Sequence, residues 1–418
     1  MYSKRKIQKT LDAFEKSEGW MPVYHTLDEV NEFKEFINSI VKIESNSKNA
    51  WIESVKPISE KRQKEITRWI ENEQALCSVD SGYFESRYAY ITDECGKITK
   101  FQNRKSQEVI DSVIADLEDR DLGIELLILG ARQNGTSIKI LLKLLHRTLF
   151  VPNTQTIISA MMSNKCDYIK QTLDIIYDKL PFWLPSIKIP KGAFNNQSRM
   201  SVQPGRSTTG IAQGLTPQCI YVTGVEDFPT PMKTIEEGLL RAVHTSRNTF
   251  LVLHGMKESN SDWLNSTYKY AKEYWPQGKF RLCPVFIPWV MCSDLYPQAD
   301  WLRKFPIPKG WKPIKETEEN KRKCELFVRT TPYLTKIIGN DWCMPLAQQW
   351  YWEFNYREAK LRGTLEHFEK MFAPDDGEPL AEQVVESDGE IDFEALFPSP
   401  TKMQEEVASI RQRLLEAK

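Results

Sequence analysis

The run ELLILGARQNGTSIKILLKLLHRTLF, residues 125–150, constrains the fold of this chain more than any other segment. A short apolar stretch, Leu126–Leu129, passes into a polar loop containing Gly135 and then into sequence whose apolar residues recur at three and four, the period of an amphipathic helix. Strand, loop and helix in that order bring backbone N–H groups and a helix N-terminus to one point, which suits an anion.

Further apolar runs, Thr156–Ala160, Cys219–Val222, Thr249–His254 and Leu282–Phe286, alternate with helical stretches such as YIKQTLDIIYDKL and TIEEGLLRAVHTS. That alternation predicts a mostly parallel sheet covered by helices. Residues 1–75 are polar and helix-rich. From Tyr83 the sequence YFESRYAYITDECGKITKF alternates aromatic and polar residues, and the turn chemistry of Asp93–Gly96 predicts a hairpin there. A helix over SQEVIDSVIADLEDRD follows. Between Lys188 and Thr216 the composition shifts to Gly, Ser, Asn and Gln, predicting loops and short hairpins. After Phe286 the chain is rich in Trp and Pro; it then has a helix around Gln348–Met371, an acidic linker and a last amphipathic helix, KMQEEVASIRQRLLEAK.

At 418 residues the chain suits one large α/β domain with additions, or two domains. No apolar run approaches the roughly 20 residues that span a bilayer, and the basic MYSKRKIQK leads into no apolar stretch, so a cytoplasmic protein without membrane contact is expected. Eight cysteines with no CxxC pair, and only five histidines, predict reduced thiols and no structural zinc. The net charge of −1 hides an asymmetry. Residues 374–418 hold twelve Asp/Glu against four Lys/Arg, leaving a body with 52 basic and 45 acidic residues. Mild basicity permits contact with a phosphate backbone without requiring it. The tail acids are spread along linker and helix and read as solvated charge, not a metal cluster.

In a phosphate-binding loop, glycine lets the backbone approach the phosphates, a cationic side chain neutralises them, and a Ser or Thr hydroxyl ligates Mg²⁺. In ARQNGTS, Gly135 supplies the turn, Arg132 the charge and Ser137 the hydroxyl, with Thr136 where a strict GK[ST] loop has lysine. The competing reading is a tight strand-to-helix turn with no ligand.

The whole stretch from about Tyr83 to Phe393 resembles phage terminase large subunits, whose ATPase domain has a variant phosphate loop of the form ARQxGxS. FQNRKSQEVI resembles the family segment ending in an adenine-reading glutamine, here Gln107. ILLKLLHRTLFVPNTQTIISA, YDKLPFWLP and GLTPQCIYV resemble, in order, the first helix and second strand, a recurring segment, and the entry to the acidic strand. WYWEFNYREAKLRGTLEHFEKMFAPDDGEPL and SDGEIDFEAL resemble the hinge that leaves the ATPase domain. The resemblance implies a RecA-like P-loop NTPase core over 83–345, a helical accessory region over 1–82, a C-terminal helix and hinge over 346–396, and a helical tail over 397–418. It implies ATP and Mg²⁺ as cofactors, held by Gln107, Arg132, Gln133, Gly135, Thr136 and Ser137, with Ser137 on the metal.

Hydrolysis needs more than binding: one carboxylate near Mg²⁺, a second acid to position water, and a cation for the developing charge. Where the family has a Ser/Asp-Glu pair, this chain has Thr223-Gly224. Glu226 or Asp227 takes over only if the strand bulges after Val222; otherwise both are solvated loop acids. Gln213-Gly214 stands where the family tends to have Arg-Gly, leaving Arg206 as the nearest candidate cation, and His254-Gly255-Met256 replaces the family's Ser-Thr-Ala coupling segment. No nuclease-like acidic cluster follows the core. The implied function is a terminase-like motor that packages double-stranded viral DNA into a procapsid with impaired ATP hydrolysis. Its implied partners are duplex DNA, the portal protein, a small terminase subunit and further copies of itself in a ring, at the procapsid portal in the host cytoplasm. The alternatives are a catalytically inactive structural or regulatory relative that binds DNA or a partner protein, and a metabolic α/β enzyme, for which no catalytic constellation stands out.

Overall fold

The computed structural model describes residues 72–93, 95–131, 134–180, 184, 187–188, 193–194, 196–205, 211, 216–256 and 262–377. Most of the expected accessory region, the end of the hinge and the C-terminal tail lie outside the described residues. In chain order the elements are α1 (Ser81–Tyr88), β1 (Tyr90–Thr92), β2 (Ile98–Lys100), α2 (Lys105–Asp119), β3 (Ile124–Gly130), α3 (Thr136–Phe150), β4 (Gln155–Ala160) and α4 (Ser163–Lys179). Next come β5 (Ile187–Lys188), β6 (Ala193–Phe194), β7 (Arg199–Pro204), β8 (Cys219–Thr223), β9 (Phe250–Met256), α5 (Asp262–Tyr274) and β10 (Cys283–Ile287). Five helices follow: α6 (Ala299–Lys304), α7 (Lys315–Thr330), α8 (Pro332–Ile338), α9 (Leu346–Arg362) and α10 (Leu365–Met371). Contacts divide the chain into two units.

The smaller unit comprises Met1–Phe101, His146–Asn153 and Thr172–Ser198. Its β1 and β2 form the antiparallel hairpin expected around Asp93–Gly96, with the Asp93 carboxylate accepting from the Cys95 and Lys97 amides. Its polar centre is Glu73, which accepts from the Tyr83 and Tyr88 hydroxyls and pairs with Arg87. A buried carboxylate is tolerated there because its oxygens are satisfied.

The larger unit comprises Gln102–Leu145, Thr154–Gln171 and Arg199–Lys418. Six strands pair in parallel in the order β10-β3-β9-β8-β4-β7. A parallel strand is covered on both faces and reads as a continuous apolar run rather than an alternating one. All seven residues of β3 are buried accordingly, as are Thr156–Ala160 of β4 and Cys219–Val222 of β8. This is the mostly parallel, helix-flanked α/β sheet expected of a P-loop NTPase core. No helix among the described residues is long and apolar enough to cross a membrane.

Three details differ from the sequence reading. The strand β7 lies in the stretch read as loops and short hairpins: RMSVQP has Met200 as its one buried residue and is flanked by Asn, Ser and Gly. The strand β3 starts earlier and takes Glu125 into the sheet. That carboxylate is 5% exposed and receives two hydrogen bonds from Arg281, each 2.8 Å, while two further guanidinium protons go to Leu240 O and Val243 O. Thirdly, Met232–Leu240, which overlaps the helix read over TIEEGLLRAVHTS, is wound as a π-helix, a rare form.

A buried charge cluster ties α2 to α3. Asp111 of α2 lies 2.6 Å from both Lys139 Nζ and Lys143 Nζ of α3, and Asn103 Nδ2 donates to it at 2.8 Å. Burial on its own would raise the Asp111 carboxyl, but the Lys143 and Lys139 ammoniums outweigh it and hold the group below the usual carboxylate range. The stabilisation is therefore complete above the unfolded value of about 4 and is lost as pH falls through the folded value. Asp111→Ala removes this carboxylate from two lysines that are themselves buried. It should cost about 3 to 5 kcal/mol in urea denaturation at neutral pH, with the gap to the parent protein narrowing as the pH is taken below that of a free aspartate.

Candidate functional site

The strand β3 lies between β10 and β9, so its carboxyl end opens among the ends of its neighbours, where ligands bind in open parallel sheets. The Ala131 amide still donates to Ile287 O, at 3.2 Å. The chain then turns into α3 through Gly135, whose φ of +77° is left-handed, and a Cβ at that position would sit 2.6 Å from Gln107 Nε2. Asn134 Oδ1 caps the helix by accepting from the Thr136 amide at 3.0 Å.

The helix α2 holds this loop from one side. Ser106 Oγ donates to Asn134 O at 2.7 Å, and Gln107 Nε2 donates to Gly135 O at 3.0 Å. Gln107 Oε1 accepts from the Arg104 amide at 2.9 Å, so this side chain caps its own helix while it props the loop. Two polar atoms in the turn have no hydrogen-bond partner although buried: Asn134 Nδ2 and Thr136 Oγ1, on residues 3% and 0% exposed. A buried amide donor and a buried hydroxyl at the N-terminus of a fifteen-residue helix form a cradle suited to an oxyanion.

On the next turn of the site stands Ser137. The Tyr221 hydroxyl of β8 lies 3.0 Å from Ser137 Oγ and 3.0 Å from His254 Nδ1 of β9. The parallel register sets Tyr221 against Val252 and Thr223 against His254, which brings the two rings close to parallel with centroids 6.3 Å apart. Burial pushes the Tyr221 phenol up to about 12 and the His254 imidazole down to about 4, with the Lys165 cation adding to the latter. Both groups are therefore neutral at physiological pH.

At the end of β8 the backbone bends at Gly224, whose φ is +66°, and a single 3-10 turn over Val225–Asp227 follows. Asp227 accepts from Lys165 Nζ at 2.6 Å, and a Cβ on Gly224 would lie 2.8 Å from both of those atoms. Glu226 turns the other way, beside Gly255, Val225 and Leu264. Both of its carboxylate oxygens are buried without a hydrogen bond of ordinary geometry. Burial raises this carboxyl above its usual range and the Asp227 charge raises it further, against the opposing pull of its own backbone amide, Lys165 and the Met256 backbone. Among the described residues no three His, Cys, Asp or Glu side chains group to hold a metal ion.

The structure thus brings Gln107, Gly135, Thr136 and Ser137 together at one turn, with Glu226 and Asp227 at the end of the strand two places away from β3. Arg132, Gln133 and Arg206 lie outside the described residues, as does Gln213-Gly214. Reading the sequence alone missed Tyr221 and Lys165. Tyr221 sits inside an apolar run and looks like core, and Lys165 is one of several polar residues opening a helix; only strand register and chain crossing reveal their partners.

No protein-family model matches this sequence, and no curated protein matches it. Among solved structures, the crystal structure of the HK97 bacteriophage large terminase is similar to 73% of this chain at 15% sequence identity, with a TM-score of 0.41. The aligned region is 54% of that terminase, so this chain spans little more than half its length.

Two substitutions check the electrostatics at the strand end. Gly224→Ala forces a left-handed alanine and displaces the Asp227–Lys165 pair, and should lower stability by about 1 to 3 kcal/mol in thermal denaturation. For Glu226 the sign runs opposite to a salt-bridged acid. Its folded carboxyl keeps its proton to higher pH than the unfolded one, so stability declines as pH rises from the unfolded value through the folded one. Glu226→Gln should raise the melting temperature at neutral pH and leave it unchanged near pH 4.

Proposed function

We propose that this chain is the nucleotide-binding core of a terminase-like DNA-packaging motor, in which the loop 131–137 holds the phosphates of ATP and the hydrolytic step is impaired. One observation carries the reading: the turn between a fully buried parallel strand and a long helix leaves Asn134 Nδ2 and Thr136 Oγ1 buried and unsatisfied. Buried polar atoms without partners call for a ligand or a water. The ARQNGTS resemblance supplies the ligand class.

In this reading Gly135 and the neighbouring backbone cradle the phosphates, Arg132 and Gln133 contact them, and Thr136 supplies a hydroxyl. Ser137 ligates Mg²⁺, and Gln107, which already touches Gly135, lies on the adenine side. Bound Mg²⁺ supplies Lewis-acid charge neutralisation at the phosphates. Impairment is supported by the strand end. Gly224 carries no carboxylate, and Asp227 is engaged by Lys165. Arg206 is the nearest candidate for transition-state charge. Duplex DNA, a portal protein, a small terminase subunit and a homo-oligomeric ring at the procapsid in the host cytoplasm belong to the same proposal, as does the division into an ATPase core over 83–345 and a hinge over 346–396.

The Asp227–Lys165 pair also favours a second reading: a relative that retains the fold to bind DNA or a partner protein and has no turnover at all. Measuring ATP binding and hydrolysis side by side, with and without duplex DNA, separates these. The motor reading expects Mg²⁺-dependent ATP binding with little DNA-stimulated turnover; brisk turnover would overturn the impairment, and absence of binding would overturn the nucleotide site. Gly224→Glu is expected to leave hydrolysis unrestored, because the new side chain must displace the Asp227–Lys165 pair before its carboxylate reaches the site.

A further inference from the structure

Ser137, Tyr221 and His254 form a hydrogen-bonded row across three elements, α3, β8 and β9, and nothing in the proposed binding of ATP requires the last two. A phenol carries one proton, so Tyr221 donates either to Ser137 or to His254, never to both. If it donates to Ser137, one of the two lone pairs on Ser137 Oγ is taken. If the row runs the other way, Ser137 donates to Tyr221, Tyr221 donates to His254 Nδ1, and both Ser137 lone pairs are left for another group. The second direction requires an unprotonated His254 Nδ1. A neutral imidazole with its hydrogen on Nε2 meets that condition.

The row is poorly explained as packing alone. Tyr221 is wholly buried, and a phenylalanine would fill the same space between β4 and β9 without a hydroxyl to satisfy. Its hydroxyl instead spans the distance from the start of α3 to the imidazole. The Thr223 hydroxyl, two residues along the same strand face, also adjoins the phenol.

Resting on the nucleotide reading above, we propose that Tyr221 and His254 are positioning residues for the divalent cation that accompanies the triphosphate: Ser137 donates to Tyr221, Tyr221 donates to His254 Nδ1, and the serine lone pairs are thereby turned toward the cation. Groups that orient a ligand from behind in this way typically change metal affinity by about 10- to 100-fold when removed. The row needs no proton to leave the protein, only rotation of two hydroxyls and one tautomer of His254, with hydrogen on Nε2.

The test is binding, not turnover. Titrate the full chain with a fluorescent non-hydrolysable ATP analogue, with Mg²⁺ and with EDTA, for the parent protein, Tyr221→Phe, Ser137→Ala and the double variant. The expected result is a loss of about tenfold or more in the Mg²⁺-dependent part of the affinity for each single variant, no change in EDTA, and no further loss in the double variant. Equal affinity of Tyr221→Phe and parent in Mg²⁺, or an equal loss with and without Mg²⁺, overturns the positioning role while leaving the nucleotide site standing. A parent protein that binds no analogue overturns both. A measurement without any substitution guards against a misfolded variant: nitrogen NMR of labelled histidine should show His254 with hydrogen on Nε2 when Mg²⁺ and analogue are bound, and hydrogen on Nδ1 there would sink the proposal.

Discussion

The burial of β3 on every side is the constraint from which the rest of the larger unit follows. A strand with all seven residues buried and a partner along each edge can leave the sheet only at its carboxyl end, between the ends of β9 and β10. The chain must then reverse into α3 within a few residues. Gly135 completes that reversal in a left-handed conformation that a side chain would resist, with Gln107 close enough to forbid a Cβ. The loop before α3 is thus the shape the backbone takes on leaving a central strand, and its polar atoms are what the turn leaves over.

Several buried carboxylates of the larger unit are neutralised by groups already in place. Glu125 is neutralised by the fork of Arg281, and Asp111 by two lysines. Glu353, wholly buried in α9, accepts from Trp311 Nε1, the Ile314 amide and Thr317 Oγ1, fastening the start of α7. Each is a carboxylate whose desolvation is offset by donors already in place. Glu226 has no such offset, and neither do the Asn134 and Thr136 groups of the loop. Glu226, Asn134 and Thr136 lie around the carboxyl ends of β3 and β8, while other buried polar atoms without a hydrogen bond, such as Ser159 Oγ, Trp289 Nε1 and Trp352 Nε1, stand elsewhere among the described residues.

Much of the sheet was legible because parallel strands betray themselves as unbroken apolar runs, and β3, β4, β8, β9 and β10 all sit within two residues of where those runs lie. The strand β7 escaped because it has Met200 as its one buried residue and its neighbours are loop formers. The hairpin at Asp93–Gly96 was visible through its turn residues, whose side-chain hydrogen bonds are local. The π-helical winding of Met232–Leu240 has no counterpart in residue pattern, since the apolar spacing of a single short helix does not separate one winding from another.

For the site, sequence alone determined the loop: which glycine turns, which hydroxyls start the helix, and that Gly224 brings no acid to the end of its strand. These are properties of one residue or of neighbours a few positions apart. Only tertiary structure decided what those groups touch. Tyr221 meets Ser137 across 84 positions and His254 across 33, and Lys165 meets Asp227 across 62. Such meetings depend on strand order and register, which are set by how all six strands share one buried sheet. The pattern of any single segment does not carry that information.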